Sequence, residues 1–125
     1  MVIALDSSIA IPWFDGRDFP ESQRVRQLAG LRQLVMPGVT LVEVLCGRAA
    51  PPTLFGLLAH FPVLPVTDGH WARAGALRQK VLRLERKARL GDTLIAQACI
   101  DAGVPLLTRD LDFQVFAEVG GLVLA

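Results

Sequence analysis

"GDTLIAQACIDAGVPLLTRDLDF", residues 91–113, holds a helix, a stop, a strand and a pair of acids. The helix runs from Gly91 to Gly103 and ends on glycine, the residue that most readily takes the left-handed closing conformation. "VPLLT" (104–108) is then a short apolar run that suits a buried strand. A helix from Asp92 to Gly103 is about 18 Å long at about 1.5 Å per residue. A strand from Val104 to Thr108 returns about 16 Å at about 3.3 Å per residue. Packed antiparallel, the two bring Asp92 and Asp110 to one edge of a sheet. Asp110 and Asp112 either open the next helix or serve a site at that edge.

The same alternation continues outward. "MVIAL" (1–5) and "QLVMP" (33–37) read as short strands, "FPVLPV" (61–66) as a strand or extended connector, and "LVLA" (122–125) as a last strand. Helices fill the intervals. "SSIAIPWFDG" (7–16) opens with Ser7 or Ser8 as cap and is limited by Pro12. "PESQRVRQLAGL" (20–31) spaces Val25, Leu28 and Leu31 by three, "TLVEVLCGRAA" (40–50) runs to Pro51-Pro52, and "PTLFGLLAH" (52–60) is short. The longest helix spans 68–88, with Ala74, Leu77, Val81, Leu84 and Ala88 on one face. "DLDFQVFAEVGG" (110–121) forms a last short helix. This order predicts one α/β domain over residues 1–125, a mainly parallel central sheet flanked by helices. Sites in such sheets form at the carboxyl ends of the strands.

Composition narrows the function. The chain is 52% hydrophobic and 20% charged, which suits a packed core rather than disorder. Its net charge of +1 means that any nucleic-acid role rests on local charge. Cys46 and Cys99, far apart and inside predicted helices, read as core or near-core thiols in a reducing cytoplasm, not as a disulfide or a zinc site. No run is long enough for a membrane helix, and the N-terminus lacks the basic start of a signal peptide.

Asp6 follows the first strand and Glu43 lies early in the helix after the second. Parallel strands bring these two to the edge that holds Asp92 and Asp110. Each acid taken alone has a plainer explanation: Thr40-x-x-Glu43 matches a capping box, and Asp92 and Asp110 sit where caps sit. Asp15, Asp18, Asp68 and Asp101 read as ordinary turn or surface carboxylates. Capping is served equally by Ser, Thr or Asn, however, and these edge positions are all acidic. Clustered carboxylates raise one another's pKa, unless a hard divalent cation such as Mg²⁺ lies among them. That ion can activate water and neutralise a phosphodiester oxygen.

"IALDSSIAIPWF", "MPGVTLVEVLCG", "GDTLIAQACIDAGVPLLTRDLDF" and the closing strand, in that order, resemble the PIN domain, specifically the VapC-type toxin ribonucleases. The resemblance implies a PIN-like fold and a magnesium- or manganese-dependent endoribonuclease acting on RNA. It also implies a homodimer and a cognate VapB-like antitoxin that occupies the active-site groove. Asp6, Glu43, Asp92 and Asp110 match the family's four metal-binding acids, and Ser8 and Thr108 its small hydroxyl positions beside the metal. Asp112 shares the metal, contacts a ligand water or caps a helix; Asp110 is preferred as the direct participant. Gly91 stands where the family often has a bulky residue, which implies a looser loop before Asp92. Two rival readings carry less. A catalytically inactive PIN-like protein- or RNA-binding module would lose acids, and all four are present. A phospho-acceptor receiver domain expects a lysine after its last strand, and none follows Lys87.

Seven of the 13 basic residues lie between Arg73 and Arg89. Most suit a solvated helix face, but Arg73, Lys80 and Lys87 recur every seven residues and form a candidate RNA-binding stripe leading to Asp92. Arg109 is a further candidate for RNA or an antitoxin carboxylate. Trp13, Phe14 and Phe19 read as core or as an apolar partner surface, Trp71 as packing, and His60 and His70 as surface or core residues rather than bases.

Overall fold

The computed structural model describes residues 1–125. A three-stranded parallel sheet lies at its centre, with β1 (Ile3–Leu5) between β2 (Leu34–Val35) and β3 (Leu106–Leu107). Ala4 pairs with Val35 on one side and Leu106 on the other. Single parallel bridges, Met36 to Val63 and Leu106 to Leu124, extend the sheet at both edges. Residues 61–66 and 122–125 are therefore edge contacts rather than full strands. Pro62 and Pro65 limit the first of these, since proline brings no N–H to a ladder.

Alternation along the strands divides the apolar residues between two cores. Ile3, Leu5, Leu34 and Leu107 point to one side, where α1 (Ser7–Phe14), α2 (Ser22–Gly30), α3 (Gly38–Leu45) and α4 (Thr53–Leu58) cover them. Ala4, Val35 and Leu106 point to the other, under α5 (His70–Arg83), α6 (Leu90–Ala102) and α7 (Gln114–Gly120). The result is the three-layered α/β arrangement expected from the sequence. Gly103 closes α6 at φ +64°, as its position predicts. Gly120 admits close packing of α7 on α5; a Cβ there would meet Leu77 Cδ1 at 2.6 Å.

Several boundaries differ from the sequence reading. The helix predicted over 68–88 ends at Arg83, because Glu85 turns left-handed at φ +58°. Arg86 N–H then bonds Val81 O and Glu85 N–H bonds Leu82 O, a Schellman closure built without glycine. Residues 86–89 form a strap leading into α6, with Ala88 buried in the core and Leu84 exposed. Helix α3 starts at Gly38 with Pro37 as its cap residue, so Thr40 and Glu43 lie inside the helix and form no capping box. Neither Ser7 nor Ser8 caps α1; that position belongs to Asp6. Gly91 falls in the first turn of α6, not in a loop. Cys99 is buried, and its thiol is pushed up to about 12, whereas Cys46 is exposed at the end of α3. Trp71, expected to pack, is 65% exposed. No helix is long and apolar enough to cross a membrane.

Candidate metal centre

The site grows from the carboxyl ends of β1 and β3. Asp6, directly after β1, is almost wholly buried. Its carboxylate does not cap α1. Instead Ser8 Oγ donates to Oδ1 at 2.7 Å and Thr108 Oγ1 donates to Oδ2 at 2.8 Å. Each hydroxyl in turn accepts a backbone N–H, from Arg109 to Ser8 at 2.9 Å and from Asp110 to Thr108 at 3.0 Å. These four bonds join the ends of the two strands and fix the Asp6 carboxylate while leaving it further lone pairs. Burial raises the Asp6 pKa against the pull of the two hydroxyls, and the charge of Asp110 raises it further.

Asp92, Asp110 and Asp112 bring carboxylate oxygens within 4.8 Å of one another. Asp92 comes from the first turn of α6, and the other two from the 3₁₀ turn over Leu111–Phe113 and its cap. Asp110 does cap that turn, accepting Asp112 N–H on Oδ1 at 2.9 Å. Lys87 Nζ pairs with Asp112 Oδ2 at 2.9 Å. Asp92 has no side-chain partner, and its carboxyl is pushed up to about 6. Burial is the main cause; the charges of Asp110, Glu43 and Asp6 add to it, and Arg89 opposes it. Asp92 thus feels the charges of Asp110, Glu43 and Asp6, and Asp6 feels that of Asp110, while Asp112 joins Asp92 and Asp110. The tightest trio contains Asp112, and Asp6 and Glu43 lie outside it.

Glu43 supplies the sharpest chemical sign. Its Oε1 is buried and has no hydrogen-bond partner, and one turn earlier the buried Thr40 Oγ1 has none either. A carboxylate oxygen withdrawn from water without a donor is costly. A divalent cation beside it removes that cost, and an all-oxygen donor set without Cys or His suits a hard ion such as Mg²⁺ or Mn²⁺. Two grooves meet at Glu43. One of about 380 Å³ is lined by Val39, Val42, Leu64, Val66 and Trp71. The other, of about 230 Å³, runs between α1, α3 and α4 past Ile11, Phe14 and Leu54.

The basic residues fall differently from the expected helical stripe. Lys87 lies beyond the end of α5, so Arg73, Lys80 and Lys87 do not share a helix face. Arg73 forks onto Asp101 at 2.8 and 2.9 Å, and Lys80 donates to Val119 O. Arg109 lies over the Phe19 ring, with Nε 3.4 Å from Glu21 Oε2. Asp101, read as a surface carboxylate, is instead half-buried, with its carboxylate enclosed by Arg73, Gln97 and His70. Those partners, Arg73 foremost, hold its carboxyl well below the usual range. The Gln97-to-Asp101 spacing of four was the local sign of this network. Buried His70 belongs to it and not to the acid cluster.

Residues 3–119 match the family model described as the PIN domain. No curated protein matches the chain in sequence. Among solved structures, the chain is similar to VapBC2 from Rickettsia felis bound to a promoter DNA fragment, with a TM-score of 0.79 and 17% identity over 100% of this chain and 98% of that one. It is also similar to VapBC-1 from nontypeable Haemophilus influenzae, with a TM-score of 0.76 and 21% identity over 100% and 97%. VapBC-5 from Mycobacterium tuberculosis, a member of a family of toxin–antitoxin systems, gives 0.70 and 22% over the full length of both chains.

Proposed function

The chain belongs to the PIN domain family, and from that premise we propose that it is a divalent-metal-dependent endoribonuclease, the toxin component of a VapBC-type module. The observation that carries the reading is the buried, unpartnered Glu43 Oε1 beside a cluster of acids that has too few cations of its own. Asp6, Glu43, Asp92 and Asp110 would hold Mg²⁺, or Mn²⁺ in its place, with Asp112 as a further ligand or as the anchor of Lys87. When bound, the ion supplies activation of the attacking water and neutralisation of the phosphodiester oxygen.

The chain's own residues do the positioning. Ser8 and Thr108 fix both Asp6 oxygens, so the carboxylate meets the ion in one orientation. Asp110, held by Asp112 N–H through Oδ1, keeps Oδ2 available. Without the ion, the acids repel the phosphate backbone of RNA, which makes productive approach dependent on metal.

Two surfaces support the proposed partners. Val42, Val66, Trp71 and Leu90 are all more than 60% exposed and suit a homodimer contact. The groove past Ile11, Phe14 and Leu54 reaches Glu43 and suits an apolar segment of an antitoxin. Trp13 and Phe19 are partly buried against the core. A toxin that cuts RNA and is held by an antitoxin acts in the cytoplasm.

The test is cleavage of cellular RNA by purified protein with Mg²⁺. Wild type should cut, and Asp6→Asn should abolish cutting while melting as a folded protein. An Asp6→Asn protein that still cuts would overturn the assignment.

A further inference from the structure

A cluster of five carboxylates repels RNA, and a net charge of +1 gives no general attraction to offset it. Cations must therefore stand at the site itself if RNA is the substrate. Of the seven basic residues between 73 and 89, five are engaged within the fold. Arg73 holds Asp101, Arg78 holds Ala88 O, Lys80 holds Val119 O, Arg86 holds Glu118, and Lys87 holds Asp112. The guanidinium groups of Arg83 and Arg89 make no hydrogen bond or ion pair, although the Arg89 carbonyl accepts from Thr93. Arg83 lies at the end of α5 beside Gln79 and Leu82. Arg89 is exposed, immediately precedes α6 and stands three residues before Asp92.

The strap around Arg89 is anchored. Ala88 is 5% exposed, and Arg78 Nε grips its carbonyl at 2.8 Å. Lys87 and Arg89, on either side of this buried residue, are both exposed; Lys87 pairs with Asp112, and the charge of Arg89 acts on Asp92 three residues on. Lys87 is tied to Asp112, yet an ammonium has three donors and its side chain is 53% exposed. Arg89 presents a free planar fork that matches a phosphate in two parallel bonds.

We propose that the 86–89 strap is the phosphate guide of this site, with Arg89 gripping the RNA backbone beside the scissile bond and Lys87 giving a second contact without leaving Asp112. This inference rests on the ribonuclease reading and replaces the helical stripe with two residues of one extended segment. Lys87 also holds Asp112 against the other acids, so contact with substrate and placement of that carboxylate are joined in one side chain.

The experiment is anisotropy of a labelled single-stranded RNA, with Mg²⁺ and over a range of KCl concentrations. It uses the cleavage-silent Asp6→Asn protein and the same protein carrying Arg89→Ala, Arg89→Lys, Lys87→Ala or Arg83→Ala. Arg89→Ala should weaken binding about tenfold and reduce the slope of log Kd against log salt by about 0.7, the share of one phosphate contact on a single strand. Arg89→Lys should restore the slope but not the full affinity, because lysine lacks the fork. Lys87→Ala should lower the slope in the same direction, and Arg83→Ala should leave both quantities unchanged. An unchanged slope and Kd in Arg89→Ala, alongside RNA cleavage by wild type, overturns the guide and leaves the ribonuclease reading standing. A wild type that cuts no RNA overturns both.

Discussion

Helix α6 carries Asp92 in its first turn and Asp101 in its last, and the fold surrounds them in opposite ways. Asp101 receives Arg73, His70 and Gln97, and its carboxyl is held well below the ordinary range. Asp92 receives no side-chain donor and four acidic neighbours, and its carboxyl is pushed up to about 6. The first acid is complete within the chain and ties α6 to α5. The second has only the charge of Arg89 to set against its acidic neighbours, and its carboxyl stays raised. For a partly buried carboxylate, the donors around it set its charge state more than its position in a helix does.

The comparison can be broken at Asp101 first, where the largest change in stability is expected. Asp101→Asn removes the charge that holds Arg73 and should cost about 1–2 kcal/mol, below the full scale of charge-assisted hydrogen bonds because Arg73 is open to solvent. Chemical denaturation measures this, and RNA cleavage by the folded fraction should be retained. Equal stability of the variant and wild type would make Asp101 an ordinary surface acid.

A smaller effect of opposite sign sharpens the Asp92 side. Its folded pKa, about 6, lies above its unfolded value near 3.8, so the folded state binds the proton more tightly. That contribution is fully present below about pH 4 and is lost as pH rises through about 6. Metal-free wild type should therefore lose melting temperature across this window relative to Asp92→Asn, which lacks the titration. At pH 7 the variant should be as stable as wild type or more so, and Mg²⁺ should raise the melting temperature of wild type alone. Parallel pH profiles for the two proteins would place Asp92 outside the acid cluster.

The same contrast explains what was legible in the sequence. Asp92 and Asp110 were predictable neighbours because one helix and one strand of known rise connect them directly. Asp6 followed from the parallel order of the strands. Gln97 could be read from its spacing, but the other partners of Asp101, Arg73 and His70, lie 28 and 31 residues upstream, on a helix whose rotation against α6 no local pattern fixes. The strap was hidden because Leu84 and Ala88 continue the apolar spacing of α5, while the residue that stops the helix is Glu85 rather than glycine. Glu43 matched a capping box by spacing, but Pro37 and Gly38 start the helix early and leave its carboxylate to the site. At β3 the sequence left Asp110 and Asp112 between capping and metal binding. The fold gives Asp110 the cap and puts both in the acid cluster, with Lys87 on Asp112.

The most direct test of the central claim, that the Asp92 end of α6 is a cation site for cutting RNA, is a cleavage time course on one RNA. Wild type, Asp92→Asn and Asp101→Asn are compared with Mg²⁺, with chelator, and with Mg²⁺ restored. Wild type and folded Asp101→Asn should cut only when Mg²⁺ is present, and Asp92→Asn should be slower by about 10²–10³-fold, the cost typical of removing one charge-stabilising group. Cleavage that survives the chelator, or an Asp92→Asn protein as fast as wild type, would contradict it.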